Sequence, residues 1–62
     1  MYFWQKYNTS DISVGQLWKE ISGETYLILE NPTRDDVEFY VTVLSKRGIV
    51  YVYVTELDEK VA

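Results

Sequence analysis

The chain of 62 residues has no cysteine and no histidine. The first absence removes disulfides, thiolate redox chemistry and cysteine-based zinc sites, and the second removes imidazole ligands. Histidine is also the commonest general base, so a Ser-His-Asp arrangement is excluded. The three glycines, Gly15, Gly23 and Gly48, are far apart and form no phosphate-binding loop. Positive charge is sparse. Lys6, Lys19, Arg34, Lys46, Arg47 and Lys60 form no stripe, and contact with nucleic acid is not expected. No apolar run approaches the length of a membrane span. The opening MYFW is too short for a signal-peptide core and has no basic residue before it. These features lead to the expectation of a mature, soluble protein without membrane association. Lack of cysteine is compatible with the cytoplasm.

What is present is apolar and aromatic: 47% hydrophobic residues, with two Trp, six Tyr and two Phe. That is too apolar for a disordered chain. The length suits a single domain over residues 1–62. A domain this small buries only about 60% of the surface its unfolded chain exposes. With no disulfide available, packing and association are its remaining sources of stability. The net charge of −4 comes from acidic residues spread along the chain. A solvated surface accounts for them. The sharper reading is an acidic patch that imitates nucleic acid or meets a basic partner. Asp35 and Asp36 are adjacent, but they follow Pro32 in a polar loop, and a solvated turn explains them better than a magnesium site. No enzyme activity, cofactor or metal is expected from this residue set.

Three segments read as strands. ETYLILEN (24–31) ends at Pro32, which cannot donate to a ladder. NPTRDD (31–36) reads as a loop. DVEFYVTVLS (36–45) alternates, with Val37, Phe39, Val41 and Val43 on one side. SKRG then turns the chain and IVYVYV returns. A loop of four residues, Ser45 to Gly48, would pair Leu44 with Ile49, Val43 with Val50 and Val41 with Val52. Gly48 would supply a left-handed residue. A slip of one residue would mix the faces, so the side-chain pattern favours this register. One face then holds Phe39, Val41, Val43, Val50, Val52 and Val54, joined by Tyr26 and Ile28. The other holds Tyr40, Thr42, Leu44, Ile49, Tyr51 and Tyr53, joined by Leu27 and Leu29. Neither face is made for water.

Residues 12–23, ISVGQLWKEISG, admit two readings. Ser13 as N-cap, Gln16 closing a capping box and an Ile12–Leu17 staple argue for a helix. So do the spacing of Val14, Leu17, Trp18 and Ile21 and the position of Gly23. That reading gives an α+β fold, one helix at about 13–22 on a three-stranded antiparallel sheet. Against it stand Gly15, which weakens the first turn, and ISGETY, which reads as a tight hairpin cornered at Ser22-Gly23.

The stretch VGQLWKEISGETYLIL resembles the opening of small SH3-like barrel proteins of bacteria and their phages, through Val14, Gly15, Trp18, Gly23 and Tyr26. The tail VYVTELDEKVA also looks like the end of such a barrel: a one-turn helix over Thr55 to Asp58, with Leu57 inward, then a closing strand from Glu59 to Ala62. The resemblance covers residues 13–62 and implies an all-β fold, a small SH3-like antiparallel barrel with MYFWQKY added as an aromatic N-terminal strand. The Ala-Leu-Tyr-Asp-Tyr motif of signalling SH3 domains is missing, so binding to polyproline is not implied.

The second apolar face is the strongest functional signal. Tyr40, Tyr51 and Tyr53, with Leu27 and Leu29 one strand over, are the candidate partner-binding residues, because tyrosine offers a large contact area with a polar tip. Three covers are open: MYFWQKY from the same chain, a second copy in a homodimer, or a foreign protein. Lys46-Arg47 at the hairpin tip reads as an ordinary exposed turn. The expected function is binding without catalysis. Size and resemblance imply an accessory module of phage or mobile-element type, in the cytoplasm of a bacterial host, docking on a larger host or viral protein. The alternatives are an acidic inhibitor mimicking nucleic acid and a self-assembling structural protein.

Overall fold

The computed structural model describes residues 9–62, all β apart from two short 3-10 turns. The strands are β1 (Leu17–Glu20), β2 (Thr25–Ile28), β3 (Thr33–Arg34), β4 (Phe39–Ser45), β5 (Gly48–Tyr53) and β6 (Leu57–Lys60). Every pairing is antiparallel, and the strands form one sheet. Strand β4 carries β5 along one edge; β2 and then β3 lie along the other. Beyond β2 come β1 and β6. Among the described residues β5 and β6 do not pair, so the sheet is not closed. The aromatic strand expected over residues 1–7, and any cover it provides, lies outside the described residues.

The β4–β5 hairpin has the register that alternation predicts, from Leu44↔Ile49 through Val43↔Val50 and Val41↔Val52 to Tyr40↔Tyr53. The ladder runs one pair further, to Ser45↔Gly48, so the turn itself is Lys46 and Arg47. Gly48 has φ of 109°, where L side chains are strained. The Ser45 hydroxyl donates to the Gly48 carbonyl at 2.9 Å and accepts the Arg47 N–H at 3.1 Å, which explains a serine buried at this corner.

One face of the sheet is the core. Trp18, Tyr26, Ile28, Val41, Val43, Val52, Val54, Leu57 and Ile12 are buried, with Phe39 and Val50 packed against them. All eight residues assigned to that face by alternation are in this group. Val37 is not. It is 65% exposed in the loop before β4, because the Asp35 carboxylate takes its N–H at 2.7 Å and holds it in a turn.

The helix expected as an alternative at 13–22 is not formed. The residues that signalled it are used differently. Gln16 Oε1 accepts the Ser13 N–H at 2.9 Å, as in a capping box, but the Gln16 N–H returns to the Ser13 carbonyl and closes a turn. Gly15 sits in that turn at φ 92°, which no right-handed helix contains. The same Gln16 oxygen also accepts the Trp18 indole N–H at 2.9 Å. Beyond the turn the chain enters β1, with Trp18 inward and Val14 and Ile21 exposed.

Two further boundaries differ from expectation. The loop NPTRDD contains β3, which resumes pairing with β4 after Pro32, through Thr33↔Tyr40 and Arg34↔Phe39. Near the C-terminus the 3-10 turn is Val54–Glu56, not the expected Thr55 to Asp58, and the last strand is Leu57–Lys60, not the expected Glu59 to Ala62. Leu57 does point inward, at the start of β6. Residues 61–62 extend the β6 edge, with Leu17 N–H on the Ala62 carbonyl at 2.9 Å.

Gly48→Ala tests the hairpin. No atom lies near the added Cβ, so only backbone strain acts. The expected cost is about 1–3 kcal/mol, a fall in Tm of at least roughly 4 °C for a chain of this size. D-alanine at the same position should cost far less, as thermal unfolding of the two synthetic variants would show.

Candidate functional site

The face of β4 and β5 opposite the core is built by the same period of two that builds the core. Tyr40, Thr42 and Leu44 from β4 alternate with the buried valines; Ile49, Tyr51 and Tyr53 do so on β5. The cross-strand pairs are Tyr40↔Tyr53, Thr42↔Tyr51 and Leu44↔Ile49. Tyr40 and Tyr51, diagonal neighbours, meet edge to face with ring centroids 5.8 Å apart and planes at 86°. That is a favoured geometry for aromatic quadrupoles.

Tyr51 is 73% exposed, Ile49 67%, Leu44 44% and Tyr53 38%. Together they make a contiguous apolar surface across two strands. Asp35, Tyr40, Tyr51, Val52 and Tyr53 line an open groove of about 540 Å³ in this region. Of the five residues singled out from the sequence, the three tyrosines converge on the groove. Leu27 and Leu29 do not line it. Both are half-buried one strand away, Leu27 paired with Leu44 and Leu29 donating its N–H to the Thr42 carbonyl at 2.9 Å.

Sequence reasoning missed the acidic rim. Asp35 reads as a solvated turn residue, yet it is the groove's polar wall. Its Oδ1 accepts the N–H of Val37 at 2.7 Å and of Glu38 at 2.8 Å, while Oδ2 accepts the Tyr53 hydroxyl at 3.1 Å. An Asp able to bond backbone N–H groups two and three positions ahead is visible in a sequence. A contact with a tyrosine on another strand is not. Glu56 Oε2 accepts the Tyr53 N–H at 3.2 Å, and Glu38 accepts the Thr55 hydroxyl at 2.9 Å. Three carboxylates therefore gather at the far end of β5.

The opposite end is basic at its tip. Arg47 Nη2 lies 3.6 Å from Glu24 Oε1, while Glu24 Oε2 is buried without a hydrogen-bond partner among the described residues. Beside it, Glu20 accepts the Ser22 hydroxyl and, at 3.0 Å, the Tyr26 hydroxyl. These bonds, Ser22 first, hold the Glu20 carboxyl below its usual range. Burial, and then the bond to Glu20, raise the Tyr26 hydroxyl.

The groove offers phenol rings, one carboxylate and apolar surface. No cluster of three or more potential metal-ligating acids, His or Cys occurs among the described residues. No family model, curated protein or solved structure matches this chain.

Asp35 and Tyr53 are both shifted from their ordinary values. The Glu38 and Val37 N–H groups, helped by the Tyr53 hydroxyl, lower the Asp35 carboxyl from its ordinary value. Donation to Asp35 and the nearby negative charge raise the Tyr53 hydroxyl. The stabilisation from Asp35 is complete above the unfolded-state value of about 3.9 and is lost as pH falls through the lower folded value. That from Tyr53 is complete below about pH 10 and is lost as pH rises through the higher folded value. Asp35→Asn should return Tyr53 toward ordinary tyrosine titration and leave Tyr26 raised. Ring-carbon NMR against pH reads both.

Proposed function

We propose that the chain is a non-enzymatic protein-binding module that docks on a larger protein through the outer face of β4 and β5. The carrying observation is the surface of Tyr51, Tyr53, Ile49 and Leu44 around an open groove. Apolar surface of this kind, contiguous and rimmed by polar groups, marks interaction sites on soluble domains. The tyrosines suit such a role, since each offers a rigid ring for burial and a hydroxyl for the rim. Asp35 pre-orders the Tyr53 ring, which reduces the entropy lost on binding.

The architecture is best read as SH3-like, left open between β5 and β6. Its support is the strand sequence β5-β4-β2-β1-β6, with a 3-10 turn ahead of the last strand. With that resemblance comes an accessory role of phage or mobile-element type, on a host or viral protein. Fold alone does not fix function, so the docking face carries the argument.

The test is affinity capture from bacterial lysate, followed by titration of the captured protein at low and high salt. Tyr51→Ala should weaken binding by about 2 kcal/mol or more, roughly thirtyfold in Kd. Binding should change little with salt, because apolar contacts are not screened. An acidic mimic would behave in the opposite way, tolerating Tyr51→Ala and losing affinity steeply with salt.

A further inference from the structure

We propose that the edge of β5 left unpaired among the described residues joins β5 of a second copy, antiparallel across a two-fold axis, to make one sheet of two. This goes beyond the docking face, because it uses the backbone edge and leaves the tyrosine surface open.

The direction of the β5 backbone can be derived. The Thr42 carbonyl accepts the Leu29 N–H, so the main chain of Thr42 faces β2. Its cross-strand partner Tyr51 then lies in a non-hydrogen-bonded pair, with its own N–H and C=O directed away from β4. The period of two gives Ile49 and Tyr53 the same direction. Glu56 already takes the Tyr53 N–H. The N–H and C=O groups of Ile49 and Tyr51 have no partner among the described residues, and an edge of this kind is a template for strand addition.

Protein edges are normally blunted by charge, proline or shortness. Of the other edges, β3 has two residues, one of them Arg34, and β6 has four and carries Asp58, Glu59 and Lys60. β5 has six residues, GIVYVY, with no charge and no proline. Nothing on it discourages pairing.

Charge selects a second copy as the occupant. Lys46 and Arg47 precede β5, Arg47 63% exposed at its side chain beside Glu24; Glu56 follows the strand, with Asp35 and Glu38 beside that end. Ile49 set opposite Tyr51 of the other copy places Val50 on the axis. Ile49 and Tyr51 of both copies then exchange four hydrogen bonds, and the Glu56 cap on Tyr53 stays intact. In this register Arg47 of each copy lies opposite Tyr53 of the other, beside its acidic end. Basic tip meets acidic end twice, as an isologous contact requires. The two tyrosine faces become one continuous surface with Tyr51 beside Ile49 of the other copy, which would let a dimer grip a repeated or symmetric partner.

The test is sedimentation velocity and amide exchange on the full chain, from about 10 μM to about 1 mM, a range that spans weak affinities. Association should grow with concentration and weaken with salt. The Ile49 and Tyr51 amides should slow by about tenfold or more on association, as local opening becomes linked to dissociation. Val50 and Val52 amides, already in the β4 ladder, should change far less. Ile49→Pro removes an outward N–H and no ladder bond, as edge prolines do, and should stay monomeric with Val50 and Val52 protected. If that variant does not fold, Lys46→Glu with Arg47→Glu, in an exposed turn, should weaken association by itself. A chain monomeric throughout overturns the proposal. So does a dimer whose Ile49 and Tyr51 amides exchange as in the monomer. The docking reading fails separately: Tyr51→Ala keeps its backbone N–H and should still dimerise.

Discussion

The register of β4 against β5 is the constraint on which the rest depends. With Val43 opposite Val50 and Val41 opposite Val52, four valines face inward together and two are wholly buried. Displacement of one strand by a single residue would send its valines to water and its tyrosines to the core. β4 then presents its other edge to β2, and Ile28 and Tyr26 take places beside those valines. Trp18, Ile12, Val54 and Leu57 complete the cluster from outside the hairpin. A chain without disulfides depends on this packing, and that limits how much apolar surface can be diverted to other ends. The exposed face of the same two strands is therefore informative. Five apolar or aromatic side chains, Tyr40, Leu44, Ile49, Tyr51 and Tyr53, stand there, outside the buried core.

Much of this was legible because strand alternation is local and strict. The hairpin register, the core face, Gly48 at the corner, Leu57 inward and the converging tyrosines follow from side chains two positions apart. What stayed open or was misplaced has physical reasons. Ser13, Gln16 and the apolar spacing around Trp18 fit a helix as well as a turn and a strand, and the conformation of one glycine decides between them. Val37 continues the alternation of β4, but the carboxylate of Asp35 claims its N–H and excludes it from the strand. Pro32 interrupts pairing without ending it, so β3 resumes inside a polar loop. The Asp35–Tyr53 bond joins residues far apart in sequence, and no periodic pattern encodes it.

Charge is organised along β5 more than the even spread of acids suggests. Lys46 and Arg47 stand at one end; Asp35, Glu38 and Glu56 gather at the other through hydrogen bonds to neighbouring strands and turns. A modest net charge thus conceals a polarity along one strand. Such polarity governs orientation more than affinity, since exposed charges set the angle of approach while apolar surface holds the contact.

The pairing of Trp18 with Lys60 and of Lys19 with Glu59 has a kinetic consequence. These contacts join the beginning and end of the described chain, whereas Val43 meets Val50 across a short turn. Closing the larger loop carries the greater entropic cost. The hairpin can form early from local contacts, but β1 is paired on both sides only when β6 arrives. A nascent chain leaving the ribosome would hold β1 without one of its two neighbours until residues 57–60 have emerged.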